Sequence, residues 1–446
     1  MSRYKAYPEY EKSKLQWVDR TPKHWDSVHL RWIAKLYAGG TPSKAIEEYW
    51  ENGSVPWINS GEVNQGLISE VSTYITEAAY KNSSAKWIPK NALVMALAGQ
   101  GKTKGMIAQL AIDATCNQSM AAIVPQDLQS SRYLFWWLHS NYQNIRNMAG
   151  GDLRDGLNLE LLGDIGCPIP TAEEQLSIAA FLDHETAKID ALIEKQQRLI
   201  ELLKEKRQAV ISHAVTKGLD PNAPMKDSGV EWLGEVPAHW DLRPLKHLCS
   251  FSGGGTPSKD NLSYWSEGNI PWVSPKDMKS FWINDSQDKI TQAAVQGSST
   301  NFVNAGALLI VVRSGILQRT IPIAINTVPV TLNQDMKALS FIEEMNVEFA
   351  ANFILGNIPP LLLEWSKEGA TVESIEHEYL SSSVFPVPPY EEQLGINVTI
   401  RKRMESFDAL EQQASTGISL LQERRTALIS AAVTGKIDVR DWQAAA

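Results

Sequence analysis

The chain of 446 residues contains one large internal repeat, and this repeat constrains its fold more than any other feature. The peptide GGTPSK begins at Gly39 and again at Gly254, 215 positions later. Between residues 39–57 and 254–272, 11 of 19 aligned residues are identical, where unrelated sequences of ordinary composition would match at about one. Units of solenoids and propellers span about 20 to 50 residues. A period this long therefore predicts two domain-sized halves.

The repeat continues to the end of each half. The Asn-Gln pair at Asn117 aligns with that at Asn333 at an offset of 216, and the Glu-Glu-Gln at Glu173 aligns with that at Glu391 at an offset of 218. Each half has the same order of segments: a tryptophan-rich start, short apolar runs such as ALVMALA and ALLIVV, a proline pair, and a long helical stretch. The two halves should therefore share one fold.

The segments that follow the proline pairs have the spacing of a coiled coil. No proline or glycine occurs from Glu173 to Val215, and the residues at every seventh position from Leu182 to Val210 are apolar except for Gln196. About forty residues make a helix of about 60 Å, too long to bury its apolar stripe against one small domain. We expect the two helices to pack on each other, antiparallel; two separate helical hairpins are the alternative. The predicted packing positions are Leu182, Ile189, Leu192, Leu199, Leu203 and Val210 on the first helix and Ile400, Phe407, Leu410, Leu421 and Leu428 on the second.

These patterns predict an α+β protein with two pseudo-symmetric mixed α/β domains separated by two long helices that pack as an antiparallel coiled coil. The predicted division is a first domain with its N-terminal segment at residues 1–170, a first long helix at 171–217, a second domain at 218–388, a second long helix at 389–436 and a tail at 437–446.

The repeated GGTPSK peptide and the repeated tryptophans are interpreted as markers of the fold. We expect the paired glycines to permit a tight turn and Thr-Pro-Ser to direct the chain out of it. The tryptophans lie beside Pro and Gly in both halves, which favours core anchors over stacking platforms for unpaired bases. The histidine of the repeated Pro-x-His-Trp motif, His24 or His239, is expected to pack rather than to catalyse.

The net charge of −9 does not favour a free-standing nucleic-acid binder, because phosphate recognition usually accompanies excess positive charge. A binding cleft needs only local positive potential, however, and a partner subunit can supply part of it. The cysteines, Cys116, Cys167 and Cys249, form no CxxC pair, so neither a disulfide framework nor a zinc site is indicated. No apolar window approaches 18 residues, and we expect a cytoplasmic protein that does not enter a membrane.

Two motifs point towards enzymatic activity, but neither is complete. ALAGQGKT, which ends at Thr103, satisfies a permissive phosphate-loop pattern, yet KGMIAQLAID after it is typical of a returning strand rather than a helix. VPPY at Val387 is close to the base-binding motif of adenine-N6 methyltransferases but lacks the required Asp or Asn. We therefore expect no catalysis by this chain; a self-contained adenine-N6 methyltransferase, a P-loop ATPase or a scaffold that binds no DNA remain the alternatives.

Turns between the apolar runs carry basic and amide side chains in both halves. Such side chains contact phosphates and read base edges, although a solvated hairpin tip explains any single one of them equally well. The predicted DNA-contacting residues are Gln100, Lys102 and Lys104 in the first half, Arg313, Gln318 and Arg319 in the second, and further Lys44, Arg154, Lys259 and Lys276.

In combination, these peptides resemble one known family over essentially the whole chain. The peptides are YPEYEKS and PKHW, the central copy DSGVEWLGEVPAHW, GGTPSK followed by YW and PW, and PxP before EEQ and a long helix. Their duplicated order is similar to that of specificity subunits of type I restriction-modification systems. The N-terminal copy departs from this pattern, with LQWVDR where the central copy has VEWLGE.

The resemblance implies a division of labour. Each half would be a target recognition domain that reads one half of a split, asymmetric sequence in double-stranded DNA, and the helices would set the spacing. Two DNA methyltransferase subunits would dock on the helical region, and restriction subunits with endonuclease and translocase activity would complete the complex. No cofactor is expected in this chain; S-adenosylmethionine, ATP and Mg would bind the partner subunits.

Overall fold

The computed structural model describes residues 4–99, 102–148, 156–366 and 374–443. The chain divides into two compact units. Unit 1 comprises Met1–Gln196 with Thr416–Ala446, and unit 2 comprises Gln197–Ser415. The division falls within both long helices, so each unit contains one globular half and part of each helix.

Unit 1 contains the following strands and helices, the last helix continuing into unit 2. The strands are β1 (Tyr10–Lys12), β2 (Arg20–Pro22), β3 (Asp26–His29), β4 (Ala34–Ala38), β5 (Val55–Ile58), β6 (Leu67–Ile68), β7 (Tyr74–Ile75), β8 (Leu93–Ala96), β9 (Ile107–Leu110), β10 (Thr115–Cys116), β11 (Met120–Pro125) and β12 (Gly166–Ile169). The helices are α1 (Leu30–Ile33), α2 (Glu77–Lys81), α3 (Ser131–Ser140), α4 (Tyr142–Asn147), α5 (Leu159–Gly163) and α6 (Ala172–Lys217).

Unit 2 repeats this order with one additional strand and with a 3-10 turn in place of α1, and its last helix continues into unit 1. The strands are β13 (Met225–Asp227), β14 (Glu235–Pro237), β15 (Asp241–Pro244), β16 (Cys249–Gly253), β17 (Ile270–Val273), β18 (Trp282–Ile283), β19 (Asp288–Ile290), β20 (Phe302–Val303), β21 (Leu308–Val311), β22 (Ile323–Asn326), β23 (Val330–Leu332), β24 (Met336–Phe341) and β25 (Val384–Val387). The helices are α7 (Gln292–Gln296), α8 (Val347–Gly356), α9 (Ile358–Trp365), α10 (His377–Ser382) and α11 (Tyr390–Val433).

The same two sheets form in each unit. The larger has the order β4-β11-β8-β9-β6 in unit 1 and β16-β24-β21-β22-β18 in unit 2, antiparallel except at the last pair. The smaller pairs β5 with β7 and β10, as β17 pairs with β19 and β23. In unit 2 the smaller sheet has one further strand, β20, beside β23. The identical order of the larger sheet and the shared pairings of the smaller one confirm that the repeat is one domain fold used twice.

The larger sheet is buried on both faces, which explains the continuous apolar runs. Successive side chains of a strand point to opposite faces. On β8, Leu93 and Met95 belong to the core that the larger sheet forms with α3, α6 and α11. Val94 and Ala96 belong to a second core, between the larger sheet and the smaller one. Strand β21 divides its side chains in the same way.

The long helices run antiparallel where they meet. In unit 2, Lys204 lies 3.7 Å from Glu411, and Arg207 pairs with Asp408, so residue numbers rise on one helix as they fall on the other. In unit 1, Arg425 bonds Asp190 at 2.8 Å. The predicted α+β fold class is confirmed.

The predicted packing positions of the helices differ in burial. Leu182, Ile189, Leu203, Ile400, Phe407 and Leu428 are buried, and Val210 and Leu421 are half-buried. By contrast, Leu192, Leu199 and Leu410 remain 42% to 46% exposed, so these three contribute little to the interface. A straight α-helix has 3.6 residues per turn, and a strict seven-residue stripe therefore drifts away from the partner by about 20° per heptad.

The repeated Pro-x-His-Trp and Glu-Glu-Gln motifs contact each other in both units. Nε2 of His24 lies 2.9 Å from Glu174, and that of His239 lies 2.8 Å from Glu392. The Trp240 indole donates to Glu392 at 3.1 Å. These contacts tie the start of each globular half to the start of its long helix, in agreement with a packing role for both histidines.

Candidate nucleic-acid interface

The paired glycines of GGTPSK are required by close packing. A Cβ on Gly39 would lie 2.2 Å from the carbonyl oxygen of Cys116, and one on Gly254 would lie 1.9 Å from that of Asn333. Neither glycine has a positive φ, and the backbone is not in a turn at residues 39–43 or 254–258. The expectation that they permit a tight turn is therefore wrong: they let the loop lie directly against the Asn-Gln segment, where any side chain would collide.

The tryptophans that follow this loop hold it in place. The Trp57 indole donates to the Gly40 carbonyl at 2.9 Å, and the Trp272 indole donates to Gly255 at the same distance. Trp50 packs edge-on against Trp57, as Trp265 does against Trp272, with 5.1 Å between ring centroids in both units. These contacts confirm the interpretation of the repeated tryptophans as structural anchors.

A cleft opens beside this framework in each unit. The unit 1 cleft, of about 540 Å³, is lined by Lys44, Glu47, Trp50, Glu51, Trp57 and Thr73. The unit 2 cleft, of about 640 Å³, is lined at the corresponding positions by Lys259, Leu262, Trp265, Trp272 and Asp288, and further by Lys276 and Asn333 to Asp335. The framework is thus shared, while the residues between the anchors differ.

In unit 2 the structure brings several predicted residues together. Lys259 and Lys276 both line the cleft, and Lys276 lies 3.8 Å from Asp288. Arg313 reaches the rim through its Nε, which bonds Asp335 at 2.9 Å. Gln318 and Arg319 are exposed on the segment between β21 and β22 and do not line the cleft.

In unit 1 fewer predicted residues meet. Lys44 lines the cleft together with two glutamates. Lys102 is exposed on the turn between β8 and β9, and its backbone carbonyl accepts a hydrogen bond from Tyr142. Lys104 does not project from this turn: it is only 4% exposed, because the turn folds back towards α4. The predicted residues Gln100 and Arg154 lie outside the described residues.

The two enzyme-like motifs have structural explanations. Strand β9 follows Lys102 and Thr103 and pairs antiparallel with β8, so a returning strand stands where a phosphate loop requires a helix. VPPY ends β25 and begins α11.

Within the described ranges no group of three metal-binding side chains occurs, and no helix is long and apolar enough to cross a membrane. Burial raises the pKa of the Cys116 and Cys167 thiols to about 12, which disfavours nucleophilic roles.

Sequence reasoning missed two sets of polar residues beside the clefts. Glu62 accepts hydrogen bonds from the backbone of Asn59 and Ser72, and Asp277 accepts equivalent bonds from Ser274 and Gln287. These carboxylates brace the segment that follows β5 or β17. The second set is the glutamine of each Asn-Gln pair, which accepts a hydrogen bond from the GGTPSK threonine. The recurrence of Asn-Gln was the available signal.

Comparison with known proteins agrees with this architecture. The family model described as the type I restriction modification DNA specificity domain matches residues 22–202 and 237–419, one match in each half. The specificity subunit of the Escherichia coli enzyme EcoR124I/EcoR124II is 38% identical over 193 residues, which cover 43% of this chain and 44% of that protein. The MjaIX specificity subunit of Methanocaldococcus jannaschii is 23% identical over 95% of this chain and 96% of its own length.

Solved structures show the same fold. A chain from a structure of complex assembly and conformational transition in a type I restriction-modification system has a TM-score of 0.72 at 16% identity, covering 94% of this chain and 99% of that one. The HsdS subunit of Thermoanaerobacter tengcongensis has a TM-score of 0.58 at 15% identity, covering 94% and 98%. With both halves matched by its model, the chain belongs to the family of type I restriction-modification DNA specificity proteins.

Proposed function

We propose that this chain is the DNA-recognition subunit of a type I restriction-modification complex and that each globular half binds one half of a split, asymmetric target. The pair of equivalent clefts carries this proposal. Each cleft keeps one lysine and two tryptophans of the shared framework, whereas Glu47 in unit 1 is replaced by Leu262 in unit 2, and Thr73 by Asp288. Two domains with one frame and different linings are suited to reading different sequences.

The cleft residues have distinct chemical roles in this proposal. Lys44 and Lys259 occupy equivalent positions, and their ammonium groups suit phosphate contacts that depend little on sequence. Arg313 is held through Nε by Asp335, which leaves the terminal nitrogens of its guanidinium in a fixed orientation. A guanidinium held in this way suits bidentate donation to O6 and N7 of guanine, so Arg313 is our first candidate for reading a base in the second half-site.

The two long helices supply spacing and docking. Helix α6 has 46 residues and α11 has 44, and at 1.5 Å per residue each extends about 65 to 70 Å. One turn of B-DNA is about 34 to 36 Å, so helices of this length suit half-sites that are separated along the duplex. We propose that two methyltransferase subunits dock on this helical region.

Catalysis is assigned to partners of this chain. We propose that the methyltransferase subunits bind S-adenosylmethionine and that restriction subunits use ATP and Mg. Relatives named as specificity subunits support this assignment. The hairpin at Thr103 also argues against an ATP site in unit 1.

Genome-wide mapping of N6-methyladenine tests the proposal. The chain is produced in cells with the methyltransferase subunit that copurifies with it, and the methylated motif is compared with that of the Lys259→Glu/Lys276→Glu variant. Two charge reversals in one cleft should reduce methylation at every site at least tenfold, because both half-sites must be bound. Lys246→Glu, an exposed lysine that does not line the cleft, is the matched control and should leave methylation unchanged.

Two results would contradict the proposal. The first is the absence of any split motif whose methylation depends on this chain. The second is an equal loss of methylation in the cleft variant and in the control, which would show that the charge reversals act without regard to the cleft.

A further inference from the structure

One hydrogen bond beside the GGTPSK loop is the same in both units. Its unit 2 partners, Thr256 and Gln334, line the cleft, whereas its unit 1 partners lie next to the cleft lining and are not part of it. The Thr41 hydroxyl donates to the side-chain carbonyl of Gln118, and the Thr256 hydroxyl donates to that of Gln334. The threonines belong to GGTPSK and the glutamines to the repeated Asn-Gln pair. Both glutamines are exposed to solvent.

Backbone hydrogen bonds hold the two segments of each pair together. The Gly40 amide donates to the Cys116 carbonyl at 2.8 Å, and the Gly255 amide donates to Leu332 at 2.8 Å. The Asn333 amide donates to Val273 at 3.0 Å and thus fixes the segment to β17. The glutamine therefore extends from a rigid platform, and its fixed side chain loses less conformational entropy on binding a ligand.

The threonine also determines what the glutamine can offer. A glutamine side chain has one acceptor oxygen and two N–H donors. Because the oxygen accepts from the threonine, the amide N–H groups remain to face a ligand. Gln334 lines the unit 2 cleft together with Lys259 and Lys276, and with two carboxylates, Asp288 and Asp335, that pair with Lys276 and Arg313. Because a basic side chain balances each carboxylate, the amide N–H groups of Gln334 and the ammonium group of Lys259 suit an anion.

A contact that is identical in both halves cannot distinguish two different half-sites. The component that two DNA half-sites share is the sugar-phosphate backbone. We propose that Gln118 and Gln334 each donate a hydrogen bond to a DNA phosphate and thereby set the register of each half on the duplex without reading a base. This proposal rests on the proposed function and adds a role for two residues outside the basic set.

Binding of fluorescent duplexes to the full-length chain, in complex with the methyltransferase subunit that copurifies with it, tests it. Affinity is measured for a duplex that contains the mapped target and for a mixed-sequence duplex of equal length, over a range of KCl concentrations. Gln334→Leu should weaken binding to both duplexes by about tenfold, as expected for loss of a hydrogen bond to a charged group, and should leave their affinity ratio unchanged. Because glutamine is neutral, the dependence of affinity on salt should hardly change, whereas Lys259→Ala should reduce its slope by about one.

Further variants separate phosphate binding from a folding defect. Gln334→Glu should weaken binding more than Gln334→Leu, because a carboxylate repels phosphate, and Gln334→Lys should retain binding, because it keeps a donor. Thr256→Val should weaken both complexes less than Gln334→Leu does, since it frees the glutamine without removing it. Gln296→Leu on α7, which replaces an exposed glutamine away from the cleft, should bind as the parent does.

Three results would overturn the proposal. A fall in the affinity ratio in Gln334→Leu would make Gln334 a base reader, and unchanged binding to both duplexes would show that it makes no contact. Equal losses in the Glu, Leu and Lys variants would indicate a structural role. If the parent chain in complex with its methyltransferase subunit bound neither duplex under any salt condition, the proposed function itself would fail, a result distinct from these three.

Discussion

The two units use opposite charges at the same place. In unit 1, Arg132 on α3 bonds Asp183 on α6 at 2.7 Å. In unit 2, Glu348 on α8 bonds Arg401 on α11 at 2.8 Å. Helices α3 and α8 correspond at an offset of 216, and Asp183 and Arg401 correspond at the 218 offset of the Glu-Glu-Gln motifs, so acid and base have exchanged positions.

This exchange matches each globular half to its own long helix. If a half packed against the other helix during folding, two arginines or two carboxylates would face each other, and like charges in contact are destabilising. A duplicated protein needs such discrimination, because its halves share core positions. The hydrogen-bonded frames are thus conserved between the units, while the charges that surround them differ.

The largest expected effect on stability tests whether both units depend on the same packing of the GGTPSK glycines against the Asn-Gln segment. Gly254→Ala should destabilise unit 2 by about 3 kcal/mol or more, because its Cβ would overlap the Asn333 backbone, and Gly39→Ala should do the same to unit 1. Hydrogen exchange measured by mass spectrometry assigns the loss of protection to one unit. The neighbouring Gly253→Ala, whose Cβ meets no atom within 4 Å, should have little effect. Equal destabilisation by both variants at Gly253 and Gly254 would contradict this account.

An intermediate effect should distinguish the units at the histidine-glutamate contact. The Glu174 side chain is 4% exposed and that of Glu392 is 29% exposed. Glu174→Gln should therefore cost about 2 kcal/mol of unfolding free energy, and Glu392→Gln less, since exposure lets water replace lost hydrogen bonds. Urea unfolding measures both, with the exposed Glu173→Gln as the control. A larger loss in Glu392→Gln would reverse the comparison.

The acid response of the same variant has a defined sign. Burial raises the pKa of the Glu174 carboxyl, but hydrogen bonds from His24 and Thr171 outweigh it and leave the pKa below its ordinary value of 4.5. A lowered pKa in the folded state adds stability above the ordinary pKa, and this stability disappears as pH falls through the folded value. The stability difference between the parent and Glu174→Gln should therefore shrink on acidification, and a constant difference would contradict this assignment.

The smallest effect concerns the exchanged ion pairs. Arg132→Glu should cost about 1 kcal/mol, because the Arg132 and Asp183 side chains are partly exposed. Adding Asp183→Arg should recover part of the loss, since the double variant recreates the arrangement of unit 2. Recovery should be incomplete because the Arg132 guanidinium also lies over the Phe135 ring, 4.5 Å from its centroid. A double-mutant cycle in urea measures the coupling; additive losses would exclude it.

Much of the fold could be predicted because each local sequence pattern occurs in both halves of the chain, and the two copies support the same interpretation. The hairpin at Thr103 and the structural tryptophans followed from local patterns that occur twice. The close packing that requires glycine at Gly39 and Gly254 could not be predicted from local patterns. It depends on contact with the Asn-Gln segment, which is far away in sequence. Burial of Lys104 likewise depends on the distant helix α4.

The candidate site was predictable only in part. Lys44, Lys259 and Lys276 were found from their residue type and loop position, and the structure places all three in clefts. Gln118 and Gln334 carry no charge, and their one signal, the recurrence of Asn-Gln in both halves, marks the alignment of the repeat without indicating a contact with the GGTPSK threonine. The sequence could not show that Arg313 is oriented by Asp335, because that contact joins two separate loops.

Unit 1 is assembled from both ends of the chain, which has a consequence for protein synthesis. Its core includes Leu428, Ile429 and Val433 from the end of α11, and also Val439. A ribosome synthesises residues 197–415 before residues 416–446. Unit 2 can therefore form its core during translation, whereas unit 1 cannot complete its core until residues 416–446 have been added. Premature termination near Ser415 would release a chain with a complete second half and an open apolar surface on the first, a state that chaperones and proteases recognise.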